Sequence, residues 1–186
     1  MYLFVDTETT GLCRFGHWPH MVQIAWLIYD EDGEEVAFQS HIIKPNGFKI
    51  PKAAEAIHGI STERALKEGI PLREALRKFS HISERQKIII GHNLCFDLGV
   101  IRAECRRLNI PSNLPGSEVC TMKAKPIVNY CKLPKENGKG YKWPKLCELH
   151  KHLFGHVFEE AHDALVDAEA CARCFFRLKE LGVMAP

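Results

Sequence analysis

Apolar positions along the chain change period as it proceeds, and that change predicts the order of elements. Tyr2 to Asp6 reads as a buried strand, Met21 to Asp30 as a second and Glu35 to Lys44 as a third. Glu31-Asp32-Gly33-Glu34 supplies a hairpin turn between the last two, so the chain opens with an antiparallel meander. Helical spacing then takes over. Pro71 to Ile82 is predicted as an amphipathic helix, Lys87 to Ile90 as a short strand, and Asn93 to Leu108 as a helix with Leu98, Ile101, Cys105 and Leu108 on one stripe. Glu118 to Thr121 reads as a short extended piece, followed by a helix from about Met122 to Tyr130 that Pro126 is expected to break or kink. A polar loop from Leu133 to Trp143 leads to a helix over Pro144 to Phe154 and a last helix over Asp163 to Leu181. Strands first, then strands interleaved with helices, predict an α/β fold with a mixed sheet flanked by helices.

Composition narrows this picture. A chain of 186 residues with 46% hydrophobic and 26% charged residues suits one folded domain, expected over 1–186, because no linker, repeat or low-complexity tract divides it. The longest apolar stretch, Ile24 to Tyr29, is too short for a signal or membrane segment, so the expected location is the cytoplasm, or the nucleus in a eukaryotic cell, with no membrane partner. Eight cysteines in such a compartment are expected to be reduced thiols. Cys171-x-x-Cys174 falls on the helical stripe of the last helix, which favours core packing over a zinc site even with Cys147, His150 and His152 upstream.

A net charge of +2 and a pI near 8.1 do not identify a nucleic-acid binder, so the charge has to be read locally. Lys132, Lys135, Lys139, Lys142 and Lys145 are interleaved with Tyr141 and Trp143, a pattern that suits single-stranded nucleic acid by charge and stacking. A solvated loop, with Trp143-Pro144 anchoring the next helix, accounts for the same residues.

The chemistry is concentrated in carboxylates. Asp6 and Glu8 lie two apart where a buried strand breaks into Thr9-Thr10-Gly11-Leu12, so both point to one face. Asp97 lies early in the helix that begins near Asn93, beside the inward-facing Leu98; a charge serving the helix dipole is the plain alternative. In Ala161-His162-Asp163-Ala164-Leu165-Val166-Asp167, a helix starting at or after Asp163 leaves His162 on a loop and turns Asp167 inward, in line with Cys171, Cys174 and Leu178. Four converging carboxylates repel one another unless a cation intervenes. Oxygen ligands suit Mg²⁺ or Mn²⁺, and two such ions roughly 3.5–4 Å apart stabilise the attacking and leaving oxygens of phosphodiester cleavage. An imidazole can take the proton of the attacking water.

These three segments, with Phe4-Val5-Asp6-Thr7-Glu8-Thr9-Thr10-Gly11-Leu12 first, Gly91-His92-Asn93-Leu94-Cys95-Phe96-Asp97 second and Ala161 to Asp167 third, resemble the motifs of the DEDD (DnaQ-like) 3′–5′ exonuclease superfamily in its histidine-bearing DEDDh subgroup. That family includes the proofreading epsilon subunit of the bacterial replicative polymerase. The resemblance implies an RNase H-like fold with a central five-stranded mixed sheet, and 3′-to-5′ hydrolysis releasing nucleoside monophosphates. Two divalent cations are implied: Asp6, Glu8 and Asp167 would hold the first, with Asp6 and Asp97 on the second. His162 would be the general base, and a tyrosine-bearing third motif is disfavoured. Ala56 to Ser61 also resembles the family's loop near the terminal nucleotide, although a plain turn before a helix capped by Ser61 explains it as well. Thr9, Gly11, Leu12, Ile57, His58, Asn93 and Phe96 are the expected substrate contacts. The expected partners are single-stranded or frayed 3′ ends of DNA and a DNA polymerase. Three readings remain open: a DNA exonuclease for proofreading or end trimming, an RNA-trimming relative, and a catalytically silent module that binds nucleic-acid ends or a polymerase. The chain ends at Pro186, soon after Asp167, and no separate binding tail is expected.

Overall fold

The computed structural model describes residues 1–158 and 162–184. Five strands, β1 (Tyr2–Thr9), β2 (Met21–Tyr29), β3 (Glu35–Ile42), β4 (Ile88–Gly91) and β5 (Ser117–Cys120), form one sheet in the order β3-β2-β1-β4-β5. The meander β3-β2-β1 is antiparallel, whereas β1, β4 and β5 run parallel. Among the described residues there are seven helices: α1 (Lys52–His58), α2 (Thr62–Glu68), α3 (Leu72–Ser83), α4 (Leu94–Arg107), α5 (Lys125–Cys131), α6 (Leu146–Phe154) and α7 (Ala164–Glu180). None of them is long and apolar enough to cross a membrane.

The two-residue period of β1 sorts its side chains between two helical layers. Leu3 and Val5 join Ile24, Trp26 and Ile89 under α3 and α4, where Leu76, Phe79, Leu94, Leu98 and Ile101 cover them. Tyr2 and Phe4 face the other way and pack with Leu27 and Ile90 against Ala168, Cys171, Ala172 and Phe175 of α7. Helices thereby cover both faces of the central strands, while the edge strand β3 stays largely exposed. All eight cysteines are unpaired; Cys171 and Cys174 belong to the packed face of α7.

Several local expectations are corrected. The first strand runs past Asp6 to Thr9, because Thr7 and Glu8 continue to pair with Ile24 and Gln23 of β2 before a bulge at Glu8/Thr9. Pro126 does not interrupt a helix; it stands in the first turn of α5, where its missing N–H would have had no partner. Helix α6 begins at Leu146 rather than Pro144, with Lys145 at its N-cap and Glu148 reaching back to the Lys145 N–H. The apolar pattern does not predict helices α1 and α2 as a pair, although Ser61 does cap α2 by accepting from Arg64 N–H at 3.0 Å.

Candidate active site

The sheet positions the site through a difference in strand length. β1 pairs with β4 only over Tyr2 to Phe4, while β4 ends at Gly91 and the chain turns into α4. The far half of β1 therefore overhangs its parallel neighbour, leaving a crevice at the carboxyl ends of the strands, where open α/β sheets characteristically bind ligands. The start of α4 enters that crevice. The Thr7 N–H and hydroxyl both donate to Asp97 Oδ1, at 3.1 and 2.7 Å, and Asp97 is only 3% exposed.

Asp6 and Glu8 continue the face of β1 that carries Tyr2 and Phe4, so they point towards the layer of α7. Asp163 caps that helix by accepting from Leu165 and Val166 N–H. The cap is tied to the sheet by Gln23 of β2, whose amide donates to Asp163 Oδ2 at 3.0 Å and accepts from Ala164 N–H at 3.2 Å. One turn on, Asp167 accepts from the backbone N–H of His162 at 3.2 Å. His162 adopts a left-handed backbone, φ 75°, on the exposed turn ahead of α7. Glu8, His162 and Asp167 each offer a ligand atom, and these atoms lie within 4.8 Å of one another. Ala161, the first residue of the third motif, lies outside the described residues.

Asp6 and Asp97 are not part of that tightest set, but their charges reach it. Burial, then Asp97, Asp167, Glu8 and Asp163, holds the Asp6 carboxyl well above its usual range. Burial and the repulsion of Asp167, Asp97 and Asp163 push Glu8 up to about 8. Asp97 is pushed up to about 7 by burial, against the lowering pull of the two Thr7 bonds. Burial raises Asp167 to about 6, with the His162 N–H opposing. Four acids so placed hold charge poorly by themselves. Asp167 Oδ1 is also buried without a hydrogen-bond partner, an acceptor left for something that is not a protein donor. Clustered oxygen donors and an orphaned acceptor fit a hard divalent cation.

Next to the acids opens a groove of about 770 Å³, and six of the expected substrate contacts line it: Thr9, Gly11, Leu12, Ile57, His58 and Phe96. Asn93 is not among its lining residues. It sits at the N-cap of α4 with φ 68° and makes no side-chain cap, because its left-handed backbone turns the amide away from the helix N–H groups. Ile57 and His58, expected on a loop, occupy the last turn of α1, which Gly59 ends in a left-handed conformation. His58 Nδ1 accepts from Ile60 N–H, and burial lowers the pKa of the ring.

Sequence reasoning misses Thr7 and Gln23. A signal for Gln23 does exist: a lone amide inside the otherwise apolar run Met21 to Tyr29 has to find partners once buried.

A five-stranded mixed sheet with acids gathered at the overhanging end of its central strand is the RNase H-like architecture of exonucleases, and comparison with known proteins agrees. The exonuclease family model (RNase_T) matches residues 3–175, and the chain belongs to that family. It is 27% identical over 175 residues to the PolC-type DNA polymerase III of Streptococcus pneumoniae, an alignment covering 94% of this chain and 11% of the polymerase. E. coli Exonuclease I in complex with a dA16 oligonucleotide superposes with a TM-score of 0.80 at 20% identity, over 96% of this chain and 40% of that one. Exonuclease I from Methylocaldum szegediense gives 0.77 at 19%, with 96% and 40% covered. The chain thus spans about a tenth of the length of the curated relatives it matches. The family it belongs to is one of nucleases of the hydrolase class.

Proposed function

We propose that this chain is a 3′-to-5′ exonuclease of the DEDDh kind, a single unit that releases nucleoside monophosphates from single-stranded or frayed 3′ ends of DNA. The observation that carries this reading is the meeting of Glu8, His162 and Asp167 within 4.8 Å, beside Asp6 and Asp97 and open to the groove. Asp6, Glu8 and Asp167 would hold one divalent cation, Asp6 and Asp97 a second. Bound there, Mg²⁺ or Mn²⁺ supplies stabilisation of charge on the attacking and leaving oxygens.

The chain's own residues do the rest. Thr7 holds Asp97 by two hydrogen bonds, so that acid is fixed before substrate arrives. The His162 N–H on Asp167 keeps the histidine's turn beside the acids, and its exposed ring takes the proton of the attacking water. Leu12 and Ile57, apolar and exposed on the groove wall, pack against the terminal nucleotide, and Phe96 lines its floor. The polymerase relatives and the oligonucleotide-bound neighbour support DNA as substrate and a polymerase as working partner.

The test is degradation of matched 3′-labelled and 5′-labelled DNA and RNA single strands, with Mg²⁺, Mn²⁺ or EDTA. A metal-dependent ladder from the 5′-labelled DNA, with immediate release of the 3′ label, is expected. Faster RNA trimming would move the substrate to RNA, and intact strands with binding retained would make the chain a recognition module.

A further inference from the structure

The basic, aromatic segment ahead of α6 is not part of the groove, and its surroundings give it a use. Over 132–145 the chain carries five lysines against the single acid Glu136. This segment is folded back on itself: Pro134 bridges Tyr141, Lys135 N–H donates to the Gly140 carbonyl at 3.1 Å, and Lys142 N–H to the Leu133 carbonyl at 2.8 Å. Its base is pinned to the second motif. His92 Nε2 donates to the Pro144 carbonyl at 3.0 Å, which leaves Nδ1 to accept from the Thr121 hydroxyl, also at 3.0 Å. Burial pushes the His92 ring down to about 4, so it stays neutral and both bonds persist.

Held in this way, Trp143 is 57% exposed and Tyr141 42%. The Lys123 ammonium lies 5.2 Å from the centre of the Trp143 ring and 2.7 Å from Cys95 Sγ, in the first turn of α4. Cys95 is followed by Phe96, which lines the groove. One turn of helix, with Asp97 on its inner side, therefore separates the groove from an exposed indole with the Lys123 ammonium over its ring, while Lys142 beside it is paired with Glu148. An exposed aromatic ring beside lysines is the chemistry that holds a nucleobase by stacking and its phosphates by charge.

We propose that Trp143, with Lys123, is a stacking site for one upstream base of a single-stranded nucleic acid whose 3′ terminus lies in the groove. The location of that terminus rests on the exonuclease reading above; the stacking itself does not, and the two can be tested apart.

Oligo-dT and oligo-rU are titrated into the protein in EDTA, where cleavage is stopped, while tryptophan emission is followed. The chain has three tryptophans, of which Trp26 is buried and Trp18 packs on the groove residue Phe96, so the part of the quenching that Trp143→Phe removes is the part that reports on Trp143. Quenching is expected in the wild type and reduced to the same residual level, that of Trp18, in both Trp143→Phe and Trp143→Ala. Affinity should be close to wild type with Phe and weakened about tenfold with Ala, the scale of one stacked base. Hydrolysis in Mn²⁺ of the p-nitrophenyl ester of thymidine 5′-phosphate, which carries no upstream base, should be unchanged in both variants. Oligonucleotide affinity indifferent to Trp143→Ala, binding without quenching, or no binding at all would each overturn the stacking site. Quenching by an oligonucleotide that the wild type leaves intact in Mg²⁺ and in Mn²⁺ would keep the site and sink the exonuclease reading.

Discussion

Thr7 gives both its backbone N–H and its hydroxyl to one oxygen of Asp97, at 3.1 and 2.7 Å, across 90 positions of sequence. This contact joins the overhanging end of β1 to the first turn of α4, and so sets where an acid from one helical layer meets acids facing the other. Replacing Thr7 by Val keeps the shape and removes one donor. The expected cost is about 1–3 kcal/mol of stability, with the Asp97 carboxyl titrating above its present value of about 7. Denaturant unfolding and carboxyl-carbon NMR titration in EDTA check both. An unchanged Asp97 titration would show that the hydroxyl does not matter to it.

Metal-free protein should lose stability as pH rises through the acid cluster. Asp167, Asp97 and Glu8 titrate at about 6, 7 and 8 when folded, against ordinary values of 3.8 for Asp and 4.5 for Glu. Between those limits the folded state binds more protons than the unfolded, so stability is fully present below the ordinary values and falls as pH rises towards 8. The lowered histidines, His41, His58, His92 and His150, act in the opposite sense below 6.5, so the clean window is pH 6.5 to 8. Thermal unfolding in EDTA should show Tm falling across that window, less steeply in Glu8→Gln. Added Mg²⁺ should raise Tm more at the alkaline end of the window than at the acid end, because its ligands must be deprotonated. A Tm that rises with pH in EDTA would contradict the acid cluster.

Gly99 tests how the loop after β1 is held. It lies in α4 under the Trp18 ring, and a methyl group built there would overlap that ring. Alanine normally gains about 1 kcal/mol over glycine within a helix, but overpacking costs about 1–3 kcal/mol. Gly99→Ala should therefore destabilise on balance and displace Trp18, seen as a red shift of tryptophan emission. A more stable variant with unchanged emission would show that the indole moves aside freely.

Gln23 is expected to act through the start of α7. Gln23→Leu leaves Asp163 Oδ2 and Ala164 N–H without their partner, at a cost of about 1–3 kcal/mol. The loss should appear in kcat rather than KM for oligonucleotides, because Asp167 and His162 shift while the groove stays whole. A variant with lower stability and normal kcat would limit Gln23 to folding.

The β-meander, β4, α4 and α7 are legible in the sequence because each buries a face with a clear period: Leu3 and Val5 on one side of β1, Tyr2 and Phe4 on the other. The same alternation is enough to put Asp6 and Glu8 on one face of the strand. Helices α1 and α2 are not legible. Each has seven residues, with Ala54 and His58 buried in one and Ala65 in the other, too little for an apolar stripe. Asn93 marks the start of α4 correctly, but its left-handed backbone is not visible in the pattern of the sequence. Thr7 with Asp97, and Gln23 with Asp163, lie 90 and 140 positions apart, beyond the reach of local pattern.

Metal-dependent cleavage from the 3′ end is the work proposed for these acids. The most direct measurement is the rate at which a 5′-labelled DNA single strand is shortened in Mn²⁺ by wild type, Asp6→Ala and Asp167→Ala, each shown to be folded by its far-ultraviolet circular dichroism. A one-nucleotide ladder is expected from the wild type and background rates from both variants. Near-wild-type shortening by either folded variant would contradict it.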